Sequence, residues 1–174
     1  ARKGLLNPTK AVQFLKKRLK SEINSRRSRA YWKQLKNLHQ GKRGFVIGNG
    51  PSLKMADLDR LKDEISIASN KIYLAFEYTD WRPSYFTVVD PIVWSKIKNR
   101  VYLYFNRVHV QADFSKPLHV TAYYWRPLKR GLDDWWFSDD FSHGAYGGRT
   151  VTYENLQLAV HLGLNPIYII GCDH

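Results

Sequence analysis

From Gly44 onward the chain is built of short apolar runs, each closed by small or polar residues and separated by segments of helical spacing. Gly44-Phe45-Val46-Ile47-Gly48 predicts a strand. The turn Asn49-Gly50-Pro51-Ser52 and an amphipathic helix from Leu53 to about Lys62 follow it. Ile65 to Asn70 predicts a second strand. Tyr85 to Asp90 predicts a third, with a helix from Pro91 to about Lys98 after it. Val101–Phe105 and His119–Tyr124 read as further strands, Val151–Leu162 as a helix, and Ile167–Gly171 as a closing strand. Strands alternating with helices predict a mostly parallel sheet with helices on both faces.

Upstream the pattern changes. Val12, Leu15, Leu19 and Ile23 fall on one helical stripe, and Lys16, Lys17, Arg18 and Lys20 fill the rest of the circumference. A second helical stretch runs from Arg29 to about His39, with Tyr31, Trp32, Leu35 and Leu38 as its apolar residues. Residues 1–43 hold 14 Lys and Arg against one acid, Glu22. The whole net charge of +13 therefore sits there, and residues 44–174 are neutral. The chain reads as a basic helical arm, 1–43, followed by a domain, 44–174. The arm suits an anionic membrane surface. Equally, its apolar residues could dock on the domain with the charges in solvent. Nucleic acid is set aside, because the arm shows no recognisable nucleic-acid motif and the domain has no basic excess.

A length of 174 residues with 44% hydrophobic content fits one domain with a real core. The lone Cys172 excludes an intramolecular disulfide and any multi-cysteine metal site. No apolar run approaches the ~20 residues of a membrane helix. The expected location is cytoplasmic, peripheral to the inner membrane face where the arm meets lipid.

The chemistry gathers at the carboxyl ends of the strands. They carry Gly48-Asn49-Gly50, Ser69-Asn70, Asp90-Pro91 and Gly171-Cys172-Asp173-His174. In a Rossmann-like sheet these ends line one crevice. Two glycines around Asn49 allow a tight turn and close approach of backbone to a ligand. Pro51 suits a first helical position, Ser52 adds a hydroxyl, and the free N–H groups of such a helix start can hold phosphate. A tight turn without ligand is the alternative. The Lys-Ser/Thr ending of a Walker A loop is missing, as is the third glycine of a dinucleotide fingerprint. Asn70 stands where NAD would want an acid, so NAD is not the expected ligand.

Gly48-Asn49-Gly50-Pro51-Ser52-Leu53 resembles a family signature. So does the block from Gly147-Gly148-Arg149-Thr150-Val151-Thr152-Tyr153 through Leu162-Gly163 to Ile167-Tyr168-Ile169-Ile170-Gly171-Cys172-Asp173-His174. Together they resemble the MptE-like domain family. Its named member is an archaeal 6-hydroxymethyl-dihydropterin diphosphokinase, and its bacterial members sit in surface-polysaccharide or flagellin-glycosylation settings. The layout is similar to that of bacterial sialyltransferases that use CMP-N-acetylneuraminate to extend lipooligosaccharide. The resemblance covers about residues 44–174. It implies that Asn49 and Asn70 line a donor site and that Thr150 and Thr152 lie near the donor phosphate. Asp90 stands where the sialyltransferases carry Asn. Their catalytic His lies beyond the last strand, so the domain 44–174 is expected to be C-terminally incomplete.

Other candidates follow from residue chemistry. Thr150 and Thr152 offer hydroxyls at a helix start, as ligand contacts or as ordinary caps. Arg149 could neutralise a phosphate. Asp173, His174 and His143 are candidate acids or bases. Asp90 with Asp173 would supply two carboxylates for Mg²⁺ if the chain is a diphosphokinase; otherwise no cofactor is expected. Cys172 reads as a packing residue. The aperiodic stretch from Arg126 to Gly148, rich in Trp and Asp, reads as a lid or as a flap packed on the domain. The expected function is a transferase, favoured as a glycosyltransferase taking a CMP-sugar-like donor to a glycan acceptor. The alternatives are an MptE-like diphosphokinase using ATP and Mg²⁺, or a non-catalytic nucleotide-binding module.

Overall fold

A computed structural model describes residues 13, 26–101, 107–111, 121–125, 127–128 and 136–173. The stripe Val12, Leu15, Leu19 and Ile23, the aperiodic residues 129–135 and His174 lie outside the described residues. Residues 26–35 form helix α1. Then follow β1 (Gly44–Ile47), α2 (Met55–Asp59), β2 (Ile65–Ser69), a 3-10 helix (Asn70–Glu77), β3 (Tyr85–Val88) and α3 (Pro91–Val101). The chain continues through β4 (Arg107–Gln111), β5 (Thr121–Trp125), β6 (Pro127–Leu128), β7 (Ala145–Tyr146), α4 (Val151–His161) and β8 (Ile167–Ile170).

Six strands form one sheet in the order β5-β4-β3-β2-β1-β8, and β6 pairs with β7 separately. Every neighbouring pair in the large sheet is parallel. This is the α/β, Rossmann-like class that the alternating pattern predicts. The direction of strand succession reverses at β1, which has β2 on one side and β8 on the other.

The alternation of side chains along each strand sorts the core into two layers. Ile47, Ala68, Phe86 and Val88 face one way, against Leu58 of α2, Ile72 and Phe76 of the 3-10 helix, and Trp94 and Ile97 of α3. Val46, Ile67 and Tyr85 face the other way, against Trp32 and Leu35 of α1 and Leu158 and Ala159 of α4.

Two elements differ from expectation. The helix after β1 spans only Met55–Asp59, not Leu53–Lys62. Turns take over from Arg60, and Asp59 Oδ1 accepts a bond from the Thr79 hydroxyl at 2.6 Å. Val101 does not open a strand. It ends α3 and is buried on the same helical face as Trp94 and Ile97, at offsets of three and seven residues. The strand is Arg107–Gln111 instead.

The charge boundary at residue 43 is not a packing boundary. Trp32 is 1% exposed and meets the Phe141 ring edge-on at 5.1 Å. The turn after α1 is hydrogen-bonded to the end of α4: Asn37 N donates to His161 O, His39 N to Leu162 O and Gly41 N to Gly163 O, at 2.8–2.9 Å. Leu38 is 54% exposed, because helical geometry has ended by then. Lys36 pairs with Asp140 at 2.7 Å, and Arg43 with Glu64. Among the described residues no helix is long and apolar enough to cross a membrane.

His161 ties this arrangement together. It is fully buried; its Nδ1 accepts from Phe141 N–H at 3.1 Å and its Nε2 bonds the Trp32 carbonyl at 2.8 Å. A ring that accepts at one nitrogen and donates from the other is neutral. Burial pushes its pKa below the ordinary value, against the pull of the Trp32 carbonyl and Asp140. Burial, followed by nearby Lys42, also lowers His39, whose Nε2 bonds the Tyr85 hydroxyl at 2.9 Å. Burial likewise pushes that hydroxyl up to about 12.

Two outcomes are expected. Trp32→Ala should cost about 3–5 kcal/mol in denaturant unfolding, the range for deleting a buried indole; a loss below 1 kcal/mol would place Trp32 outside the core. Stability should also fall with acid. Both histidines have folded pKa values below their unfolded ones, so the unfolded chain takes up protons first. Their contribution is complete above about pH 6.5 and is lost as pH falls towards the folded values. The slope is at most about 1.4 kcal/mol per pH unit for each proton. His161→Gln should flatten the stability curve below about pH 6.5, and an unchanged slope would contradict the assignment.

Candidate functional site

The turn after β1 is pressed onto the exit of β8. Gly48 N donates to Ile170 O at 2.9 Å, and Gly50 N to Gly171 O at 2.8 Å. A Cβ at Gly48 would collide with the Gly171 carbonyl, and one at Gly50 with the Asp173 carboxylate. The glycines therefore serve chain-to-chain packing at this seam. Ser52 N, expected to be free for phosphate, donates to Asp173 Oδ2 at 2.8 Å. Pro51 and Ser52 precede α2, which has five residues and begins at Met55, so the expected phosphate-holding helix start is absent here. The Asn49 side chain is exposed, and its Nδ2 reaches across to Ser69 O at 3.1 Å, at the end of β2.

The larger cleft, of about 730 Å³, opens between the ends of β2 and β3 and the start of α4. Asn70, Asp90, Arg149, Thr150 and Glu154 are among the residues lining it. Asn70 has φ 56°, a left-handed conformation that Asn tolerates. Its Oδ1 is buried with no hydrogen-bond partner. Leaving such an acceptor unsatisfied costs about 1–3 kcal/mol, which a ligand donor would recover. Asp90 is engaged at one oxygen: Oδ1 accepts from Ile92 N at 2.6 Å and Val93 N at 3.4 Å, capping α3. Thr150 caps α4, accepting from Thr152 N at 3.3 Å. Arg149 precedes it with φ 65° and is exposed.

Glu154 was not singled out by the sequence reading. It is 2% exposed, in the first turn of α4, on the wall of this cleft. The signal was present: position 154 shares a helical face with buried Leu158, where a carboxylate is out of pattern. Thr152 parts from Thr150; its hydroxyl lies 4.0 Å from Cys172 Sγ, towards β8.

A smaller cleft of about 390 Å³ is lined by Ser52, Asp57, Cys172 and Asp173 beside Leu53 and Ile170. Asp90 and Asp173 thus line different clefts and do not form the carboxylate pair expected for Mg²⁺. Among the described residues no group of three or more His, Cys, Asp or Glu could hold a metal ion. His143 lies in neither cleft; its side chain is 76% exposed and its Nδ1 is 3.5 Å from Asp140 Oδ2. Burial pushes the Asp140 carboxyl up, but hydrogen bonds from Lys36 and Ser142 outweigh it and hold the group well below the usual carboxylate range.

The described part of the aperiodic stretch, 136–148, packs on α4. Gln157 holds it: Oε1 accepts from Ser138 N at 3.0 Å and Tyr146 N at 2.9 Å, and Nε2 donates to Tyr146 O at 2.8 Å. Phe141 is in the core at 1% exposure, and the Tyr153 hydroxyl donates to Trp136 O at 2.7 Å.

Searches of curated proteins and of solved structures give no match. A family model described as 6-hydroxymethylpterin diphosphokinase MptE-like matches residues 17–174. The match begins upstream of residue 44 and takes in α1, as the packing of Trp32 requires. Fold, strand-end chemistry and this match over nearly the whole chain agree that it belongs to the MptE-like family.

Proposed function

We propose that the chain is a transferase domain that holds a nucleotide-activated donor in the larger cleft. The observation that carries the reading is Asn70: a buried acceptor without a partner, on a cleft that also receives Arg149 and the N-terminus of α4. Asn70 would take a donor from the base or ribose, and Asn49 would reach the same ligand from the neighbouring turn. Arg149 and the α4 N-terminus would stabilise negative charge on the leaving phosphate. Charge favours a donor of low anionic charge. Among the described residues that line the cleft, Arg149 is the cation and Asp90 and Glu154 are the acids. A CMP-sugar has a single bridging phosphate and suits that balance, with glycosyl transfer to a glycan hydroxyl as the reaction. The family match favours a second reading, diphosphoryl transfer from ATP. A polyphosphate would arrive with Mg²⁺, for which Asp90 and Asp173 form no joint site.

A thermal-shift panel of CMP, CDP, ATP with Mg²⁺, and NAD separates these readings. A ligand at 100 times its Kd stabilises by about 2.7 kcal/mol. CMP should raise the melting temperature without metal, and NAD should not. Asn49→Ala and Asn70→Gly should abolish the shift while leaving the unliganded melting temperature within a few degrees; glycine keeps the left-handed backbone unstrained. Stabilisation by ATP with Mg²⁺ alone would transfer the assignment to diphosphoryl transfer. No stabilisation by any nucleotide would overturn both.

We further infer that the basic segment meets an anionic membrane surface. Arg29 and Lys33 are exposed on α1, while Trp32 fixes that helix to the domain. The stripe Val12, Leu15, Leu19 and Ile23, with Lys16, Lys17, Arg18 and Lys20 around it, lies just upstream in the sequence. Apolar insertion and charge attraction would add. Sedimentation with anionic vesicles should retain the full chain at low salt and release it as salt rises. Deleting residues 1–25 should abolish retention without the loss of stability expected for Trp32→Ala. A full chain that ignores such vesicles at low salt would refute this.

A further inference from the structure

We propose that Asp173 is a positioning residue for the Asn49 turn, acting through Ser52 rather than touching metal or substrate. The inference rests on the reading that Asn49 contacts the donor. Three hydrogen bonds tie that turn to the exit of β8. Two are backbone to backbone, from Gly48 N and Gly50 N to the carbonyls of Ile170 and Gly171. The third, Ser52 N to Asp173 Oδ2 at 2.8 Å, is the only one of the three that depends on a side chain. It is charge-assisted, and so stronger and more directional than a neutral bond.

The carboxylate also bears on Gly50 directly. A Cβ at Gly50 would strike Asp173 Oδ2 before anything else. Asp173 thus covers one flank of the turn and anchors its far end, while Asn49 Nδ2 anchors the other side on Ser69 O at 3.1 Å. Asn49 is itself one of the two anchors, and Ser52 on Asp173 is the other. The Ser69 carbonyl that it bonds belongs to the residue before Asn70, so a shift of the turn changes the spacing between the two asparagines proposed to hold the donor. This accounts for an acid at the end of β8 that is exposed, lines the smaller cleft and does not meet Asp90.

Three single variants, Asp173→Ala, Asp173→Asn and Asn49→Ala, and the double variant Asn49→Ala/Asp173→Ala test the idea. The first readout needs no ligand. Hydrogen exchange at the Ser52 and Gly50 amides should speed up at least tenfold in Asp173→Ala and stay near wild type in Asp173→Asn, whose amide oxygen still accepts. Unchanged exchange in Asp173→Ala would overturn the proposal. The second readout is calorimetric affinity for CMP. Asp173→Ala should weaken it at least tenfold, Asp173→Asn less than threefold. The double variant Asn49→Ala/Asp173→Ala should bind no more weakly than Asn49→Ala alone. Additive losses would mean that Asp173 touches the ligand itself and would refute a positioning role. If Asn49→Ala binds CMP like wild type while exchange at Ser52 still depends on Asp173, the donor contact of Asn49 fails. The turn is then anchored as proposed.

Discussion

The seam between the exits of β1 and β8 is the constraint on which the arrangement depends. These two parallel strands are neighbours at the point where strand order reverses, the usual ligand crevice of an open α/β sheet. Here the chain fills the mouth of that crevice with its own backbone. Gly48, Gly50 and Gly171 let two segments approach until main-chain N–H meets main-chain oxygen, and Asp173 completes the closure on Ser52. Open space is therefore displaced to either side: a small cleft under Leu53 and a larger one beyond Asn70. Asn70, whose Oδ1 is buried without a hydrogen-bond partner, lines the larger.

The opposite end of the sheet is governed by α4. Its C-terminal carbonyls receive the turn after α1, its His161 ring spans Trp32 and Phe141, and its Gln157 fixes the 138–146 segment. The N-terminus of the same helix carries Thr150, Arg149 and Glu154 to the larger cleft. One helix thus joins the basic segment to the site. Protonation of His161 Nδ1 would remove the acceptor for Phe141 N–H at the end of α4 that holds α1.

Much of this was legible in the sequence. The apolar runs at residues 44–47, 65–69 and 85–88 are strands largely buried on both faces, whereas in the strand 167–170, at the end of the strand order, Tyr168 and Ile169 are about half exposed. Their polar ends did mark the carboxyl edge. Distance from the periodic signal explains the errors. Leu53–Lys62 has helical spacing, yet the connection closes after five helical residues because Asp59 is taken by Thr79 and the chain must turn into β2. Val101 has strand propensity, but its position relative to Trp94 and Ile97 matters more. Charge hid the packing of α1, since its outward face is basic while Trp32 and Leu35 lie in the core. Asp90 and Asp173 look alike in sequence. Only the fold gives one to a helix cap and the other to the β1 turn.

The larger cleft and the glycine turn differ in what they leave free for an anion. A phosphate-binding loop works by presenting free N–H groups, and here the turn after β1 has spent three of them on β8 and Asp173. Among the described residues, what remains for an anion is the start of α4, where Thr152 N already donates to Thr150 Oγ1, and the guanidinium of Arg149. A helix N-terminus carries about half a positive charge. Against it stand Asp90, partly neutralised by the amides that it caps, and Glu154 in the wall. Among the described residues the larger cleft, rather than the turn after β1, is thus where a helix start and a guanidinium remain for an anion.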